Sequence, residues 1–592
     1  MLWAIAPLHA QKDTLLLSEV LIVDSAVLFF SSNEISERIG HTHLNLRSNG
    51  PEALTTLSFR GGSSSHLSIR WNGVDIQSPM LGQLDASLID FAFFDQVQCN
   101  AQAADRTNSG ISGNLELASS LNADANSLSL SAAFRTYDHQ TYRLEWKDQR
   151  GPFQQELQLV KRQGLNDYPI PEADRTANEH AQFDVTGLHW QGKLKVNKKT
   201  ELIGRVWAQD RESELAPHIQ QTRSEAEQFD RFLRTQLALR QQSAFMDYEV
   251  QLSYFSDDNI YIDPLSLLND TNHYELGNVR ILLKKELDDA FQIDLNLEAQ
   301  RVVAESPNYN RNIQQNRQHV DLILNKAWKF GMSRAMNGFT FNNGTFYHSL
   351  LLQQGFQLHP SYQIQLTGHR NFRIPSLNDV YWSPGGNPNL QVERSESIEL
   401  RQRYEYKNKK SALALNGALY YRNSSDWILW SFDQELNYWT PHNINQVRSQ
   451  GIEMSASYRK QWKAFAIQSE VHLDYTDAEF LKAQELPRIV AGQRLYYIPE
   501  FKTQFRQSLK WKNWDAAYSL RHNSSNAGTL YIIEAFVLHN FELAKRIALK
   551  KSILSLAMRL ENAFDTRYEA IERRPLAGRN FNLSIQYKFT YQ

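Results

Sequence analysis

The chain has 592 residues, a formal net charge of −2, 11% aromatic residues and one cysteine, with a mean hydropathy of −0.52. It has neither the basic surplus of a nucleic-acid binder nor an acidic tail. Cys99 alone rules out an intramolecular disulfide or a thiolate metal cluster, and no apolar run reaches the roughly 18 residues of a membrane-spanning helix.

Residues 1–11, MLWAIAPLHAQ, read as a signal-peptide remnant: an apolar stretch ends at Leu8-His9-Ala10, with cleavage near Ala10 or Gln11. The basic n-region of such a signal is missing. Residues 25–122 mix short strands (Leu57–Phe59, Leu67–Trp71, Val97–Cys99, Leu115–Leu117) with turns and a helix near Ser87–Phe91, the pattern of a small α/β domain. Asn72-Gly73, set between Leu67–Trp71 and Val74-Asp75-Ile76, predicts a hairpin with a type I′ turn, because both residues tolerate positive φ. Gly61-Gly62 lets the backbone turn sharply where a β-carbon would clash. Arg60 and Arg70 are candidates to reach out of this domain.

From 123 to 592 one pattern recurs. In FNLSIQYKF, the residues Phe581, Leu583, Ile585, Tyr587 and Phe589 alternate with Asn582, Ser584, Gln586 and Lys588. The same period of two appears at Leu128, Leu130, Ala132 and Phe134, and at Val471, Leu473 and Tyr475. Alternation alone fits a soluble sandwich with its apolar faces inward, or a membrane barrel with apolar side chains toward lipid and polar ones toward the lumen. Three features favour the barrel. The run is too long for one soluble domain, aromatics cluster near segment ends (Tyr142–Trp146, Tyr420–Trp430, Tyr496–Tyr497), and the chain closes on an alternating strand. At roughly 21 residues for each strand and its connection, about 22 antiparallel strands fit. A lumen that wide leaks unless filled, and residues 25–122 are the right size to fill it. The expected fold is an all-β transmembrane barrel with an N-terminal α/β plug domain inside its lumen.

These residues resemble the TonB-dependent outer-membrane receptors, and within them the shorter, cobalamin-receptor-like members. Arg60-Gly61-Gly62 through Asn72-Gly73-Val74-Asp75 is similar to the plug signature of an arginine-glycine strand and a following hairpin, with Asn72 where Asp is usual. Asn108–Leu115 is similar to the plug's closing segment. The string Asn371–Tyr381, followed by Gly386–Leu390 and Glu393-Arg394-Ser395, is the most specific match. Tyr421-Arg422, Asp426–Ile428, Gly451-Ile452-Glu453 and Glu561–Tyr568 extend it through the barrel.

The resemblance implies a coupling segment over 12–24, similar to the family's TonB box. Its residues Asp13, Thr14, Leu15, Leu16, Leu17, Ser18, Glu19 and Val20 can add as a strand to the edge of a partner sheet; an ordinary first plug strand is the alternative. The implied partners are a TonB-like energy-transducing protein, outer-membrane lipid and a small metal-chelate or corrinoid ligand, with no nucleic acid and a monomeric chain. Plug loops at Ser63, Ser64, Ser65 and at Gln77, Ser78, Pro79, Met80 and Gly82 would face the solute. No cofactor is required. Asp167, Glu172, Asp174, Glu179 and Asp184 offer hard oxygen ligands that could hold calcium, as in a comparable loop of cobalamin receptors, without EF-hand spacing. His41 and His43 could ligate a metal or haem iron, although a short strand more often carries such a pair without a ligand.

The expected function is TonB-dependent import of a scarce bulky solute, a cobalamin-type corrinoid or a ferric siderophore, without enzymatic chemistry. No serine sits in a Gly-x-Ser-x-Gly elbow, and the rim offers no convincing nucleophile or acid pair. The rivals are a passive porin, an outer-membrane enzyme, and a surface receptor or adhesin without energy coupling.

Overall fold

The computed structural model describes residues 19–21, 42–101, 110–121, 126–170, 177–485 and 487–591. Strand β1 (Glu19–Leu21) begins the described chain, followed by β2 (Asn45–Ser48), β3 (Thr55–Ser58), β4 (Leu67–Trp71), β5 (Val74–Asp75), β6 (Gln96–Asn100) and β7 (Gly113–Ala118). Five of these form one sheet in the order β1-β6-β7-β4-β5, and β2 pairs with β3 in a second. The β4–β5 hairpin turns through Asn72 at φ 45° and Gly73 at φ 85°, the type I′ geometry that Asn-Gly predicts. The helix expected near Ser87–Phe91 is instead two separate 3₁₀ turns, Ala86–Leu88 and Phe91–Phe93. Each has its own aspartate cap, Asp85 accepting from Ser87 N–H and Asp90 from Ala92 N–H, and the extended backbone at Ile89 divides them.

From β8 (Asn126–Arg135) onward, 22 antiparallel strands close into a barrel, with the final strand Asn580–Tyr591 pairing back onto β8. The alternation has the sense a membrane requires. Leu130, Phe134, Leu583 and Ile585 stand exposed on the outer face, while Ser127, Ser129, Asn582 and Ser584 are buried in the lumen. Short turns such as those joining Arg150 to Phe153 and Trp328 to Gly331 lie at the end that holds both barrel termini. Longer connections, such as 164–183, 373–393 and 480–501, lie at the other. Short turns mark the periplasmic end and long loops the outside.

The N-terminal sheets fill the lumen. Trp71, wholly buried, meets Trp207 of the wall edge-on at 5.7 Å and Phe255 at 6.2 Å; Phe94 meets Trp207 at 5.3 Å, and Phe93 stacks on His189 at 5.5 Å. Aromatic pairs at these offsets add to the burial of their surfaces. In a planar bilayer the intact protein is therefore expected to be nearly silent, and a variant lacking 42–121 to conduct like a porin; equal conductance from the two would contradict a sealed lumen.

Candidate functional site: the plug–wall interface

The arginine-glycine signature forms a latch. Phe59-Arg60-Gly61-Gly62 is a tight turn, closed by Gly62 N–H donating to the Phe59 carbonyl at 2.8 Å, with Arg60 at φ 48° and Gly61 at φ 69°. At Gly61 a β-carbon would lie 2.7 Å from Ser449 Oγ and 2.8 Å from Ala478 Cβ, so glycine is what allows this backbone to press against the wall. The wall answers with donors: Arg422 Nη2 and Ser449 Oγ both donate to the Arg60 carbonyl, at 2.8 and 2.6 Å. The Arg60 guanidinium bridges two wall glutamates, with Nε donating to Glu453 at 2.7 Å and Nη1 pairing with Glu399 at 2.5 Å. It also lies over the Tyr420 ring, 4.5 Å from its centre. Gly451 makes room for that ring: a β-carbon there would lie 2.5 Å from the Tyr420 hydroxyl.

His66, buried with no exposed side-chain surface, forms the second contact. Its Nδ1 accepts from the Ser63 backbone N–H at 3.0 Å, which fixes the ring proton on Nε2, and Nε2 donates to Glu393 at 2.9 Å. Burial holds the imidazole below its ordinary value, opposed by the Glu393 carboxylate and assisted by the charges of Arg373 and Arg422. Arg373 also binds Glu393, so His66 and Arg373 share one carboxylate and the two ends of the 373–393 connection are tied to each other. Between them, helix α1 (Leu377–Tyr381) begins at a capping box of Ser376 and Asp379. Its first N–H groups, at Leu377 and Asn378, donate to the Pro79 and Met80 carbonyls of the plug at 3.0 and 2.9 Å. The loop Gln77–Gly82 thus docks under an outer connection with Leu81 exposed at its tip, whereas Ser63, Ser64 and Ser65 lie beside the His66 contact.

The remaining charges sort by side. Plug acids face wall arginines: Asp90 meets Arg143 at 2.7 Å, Glu52 meets Arg162 at 2.9 Å, and Asp85 meets Arg211 at 3.0 Å. Plug bases face wall acids: Arg60 and His66 as above, and His43 on Asp474, which Lys502 also approaches at 3.1 Å. Arg70 Nε donates within its own hairpin, to Ser68 Oγ at 3.3 Å. In the sequence Glu393, Arg422 and Glu453 fall inside motifs that give them no role, His66 only opens the alternating run before Asn72-Gly73, and Glu399, Ser449, Arg143, Arg162 and Arg211 stand in no motif. The available signal was a charged residue on the lumen phase of an alternating strand, as Glu399 is between Ile398 and Leu400.

Of the segment expected to couple, Glu19 and Val20 belong to β1, which pairs antiparallel with β6, Glu19 opposite Cys99 and Leu21 opposite Val97; Asp13–Ser18 lie outside the described residues. Of the calcium candidates, Asp167 and Glu179 are exposed, Asp184 pairs with Lys161, and Glu172 and Asp174 lie outside the described residues, as does His41. No group of three or more metal-ligating side chains occurs among the described residues.

A lipid-facing barrel whose lumen is filled by a separately folded N-terminal domain defines a plugged outer-membrane barrel. Residues 45–563 match the family model described as TonB dependent receptor-like, beta-barrel, and the chain belongs to that family of outer-membrane proteins. The vitamin B12 transporter BtuB of Photobacterium profundum is 24% identical over 260 residues, covering 40% of this chain and 37% of that protein. The BtuB of Vibrio vulnificus is 24% identical over 233 residues, covering 37% and 33%. The match thus spans about a third of the length of either relative. The FrpB iron transporter from Neisseria meningitidis (F3-3 variant) superposes with a TM-score of 0.78 at 10% identity, over 95% of this chain and 97% of that one. The unliganded ferric citrate transporter FecA superposes at 0.75 and 13% identity, over 94% of each. At such identities the likeness is one of fold.

Two outcomes follow, both read from the urea midpoint at which the buried Cys99 thiol becomes reactive. Arg60→Ala strands Glu399 and Glu453 without their shared cation and is expected to destabilise plug docking by about 3–5 kcal/mol, the usual effect of breaking a buried ion pair; an unchanged midpoint would count against the latch. Because the folded His66 imidazole titrates below its unfolded value near 6.5, its contribution is complete above that pH and declines as the pH falls through the folded value. The midpoint should drop on acidification in the wild type, and drop less in His66→Gln.

Proposed function

We propose that the chain imports a bulky, scarce solute across the outer membrane by displacing part of its plug, with energy delivered by a TonB-like protein that spans the periplasm. The observation that carries this reading is the place of β1. Among the described residues it is the edge strand of the plug sheet, paired on one side with β6 and on the other with no strand, the arrangement to which a partner strand can add. A pull on the segment 13–20 would load the β1–β6 ladder first, beside the part of the plug that the wall holds through individual side chains.

The cargo class follows from the relatives. The BtuB proteins are named for vitamin B12 and the structural neighbours for iron, ferric citrate and copper transport, so a corrinoid or a ferric chelate is the proposed solute. The exposed Leu81 tip and the half-buried Tyr381 and Trp382 beside it offer an apolar outer platform of the kind such a ligand would meet. Import involves no covalent step, and the chain acts as a transporter and not as an enzyme.

Uptake of radiolabelled cobalamin and of ferric chelates by cells carrying the intact chain, or one lacking 13–20, tests this directly. The intact chain is expected to concentrate one of the two solute classes and the deletion to abolish that uptake while leaving the folded barrel in the membrane; uptake indifferent to the deletion would remove the coupling role.

A further inference from the structure

The lipid face of the barrel contains a groove. Phe291, Lys326, Ser333 and Gln354 stand opposite one another on successive strands, and so do Leu324, Ala335, Leu352, Gly368 and Ile398 in the neighbouring row. The small residues Ser333, Ala335 and Gly368 floor a depression of about 510 Å³ between taller apolar neighbours. Its polar groups are spent on each other: Ser333 Oγ donates to Gln354 Oε1 at 2.6 Å, and Gln354 Nε2 donates to the Gly355 carbonyl at 3.1 Å. Arg334 and Gln353 also border the depression, from the lumen phase of their strands; on the outer face Lys326 is the charge that remains. It is exposed, and no carboxylate pairs with it among the described residues.

Depth fixes the leaflet. Lys326 and Leu324 are two and four residues from the strand end at Trp328, about 5–10 Å above the turn for a rise of roughly 3.3 Å per residue and a tilt near 40°. Trp328 meets Phe356 edge-on at 5.5 Å at that level, as interfacial aromatics do. Lysine is concentrated at this end of the barrel, with pairs at Lys198-Lys199, Lys409-Lys410 and Lys550-Lys551 in or beside the short turns; among the described residues of the outer connections Lys482 is the only lysine. A compact, strongly hydrated ammonium on a flexible stem suits a phosphate at a membrane surface.

We propose that this groove is a binding site for one anionic phospholipid of the periplasmic leaflet, with an acyl chain lying over Ser333, Ala335 and Gly368 and the phosphate on the Lys326 ammonium. The apolar slot selects the chain and the unpaired cation at its mouth selects the headgroup charge.

The test is native mass spectrometry of the full chain after equilibration with dioleoyl-phosphatidylglycerol or dioleoyl-phosphatidylcholine vesicles and re-extraction into mild detergent. One phosphatidylglycerol per barrel should persist, in preference to phosphatidylcholine. A β-carbon at Gly368 meets nothing nearer than the Ser397 carbonyl at 4.0 Å, so Gly368→Leu fills the groove without backbone strain and should lower retention of either lipid. Lys326→Gln should lower phosphatidylglycerol retention about tenfold, the factor for one lost charge-assisted contact, and erase the headgroup preference. Heat-modifiable mobility confirms that each variant is folded, and Ala335→Leu replaces Gly368→Leu if the latter fails to assemble. No retained lipid in the wild type, or equal retention by folded groove-filling variants, would overturn the proposal.

Discussion

Closing an antiparallel sheet on itself inside a membrane gives it two faces of opposite character, and the polar inner face governs what can fill it. A lumen lined by Arg143, Arg162 and Arg211 on one side and by Glu399, Glu453 and Asp474 on the other needs a filling that brings countercharges with it. The N-terminal domain supplies them in matching order, acids toward the arginines and bases toward the acids. Rotating the plug within the barrel would bring like charges together, so charge placement fixes its orientation.

Buried ion pairs are a poor source of net stability, because removing two charges from water costs nearly as much as their attraction returns. Their value here is that they penalise every wrong arrangement. The apolar part of the interface is concentrated around Trp71, Trp207, Phe94 and Phe255, whereas the Arg60 turn and His66 are held by hydrogen bonds and ions. Contacts of that second kind can be exchanged for water, which suits a seal that the proposed transport cycle must open and restore. The capping box at Ser376 serves the same docking: it leaves the first N–H groups of α1 facing two plug carbonyls, so the 373–393 connection closes over the plug.

Several of these features could be read from residues alone. Phe581 to Phe589 alternate because each strand meets lipid on one side and the lumen on the other, and that periodicity needs no partner to be visible. Asn72-Gly73 encodes its turn locally. The expected helix near Ser87–Phe91 failed for a local reason as well, since Asp85 and Asp90 each cap a turn of their own. The latch was only half legible. Arg60 and Gly61 stood out, but their partners lie more than three hundred positions away along the chain, and a glutamate on the lumen phase of a strand looks the same whether it meets water or an arginine.

Sequence by itself determined the two-faced strands, their approximate number, the glycine-hinged turn and the need for something to fill so wide a cylinder, because each depends on neighbouring residues and on the polarity of the two surroundings. Tertiary structure alone decided which charge meets which, why Gly61 and Gly451 can carry no side chain, and where Ser333, Ala335 and Gly368 fall into one groove. Those outcomes depend on register and on the closeness of distant segments. Both are set by the closed ladder of strands as a whole, and no single stretch of the chain encodes them.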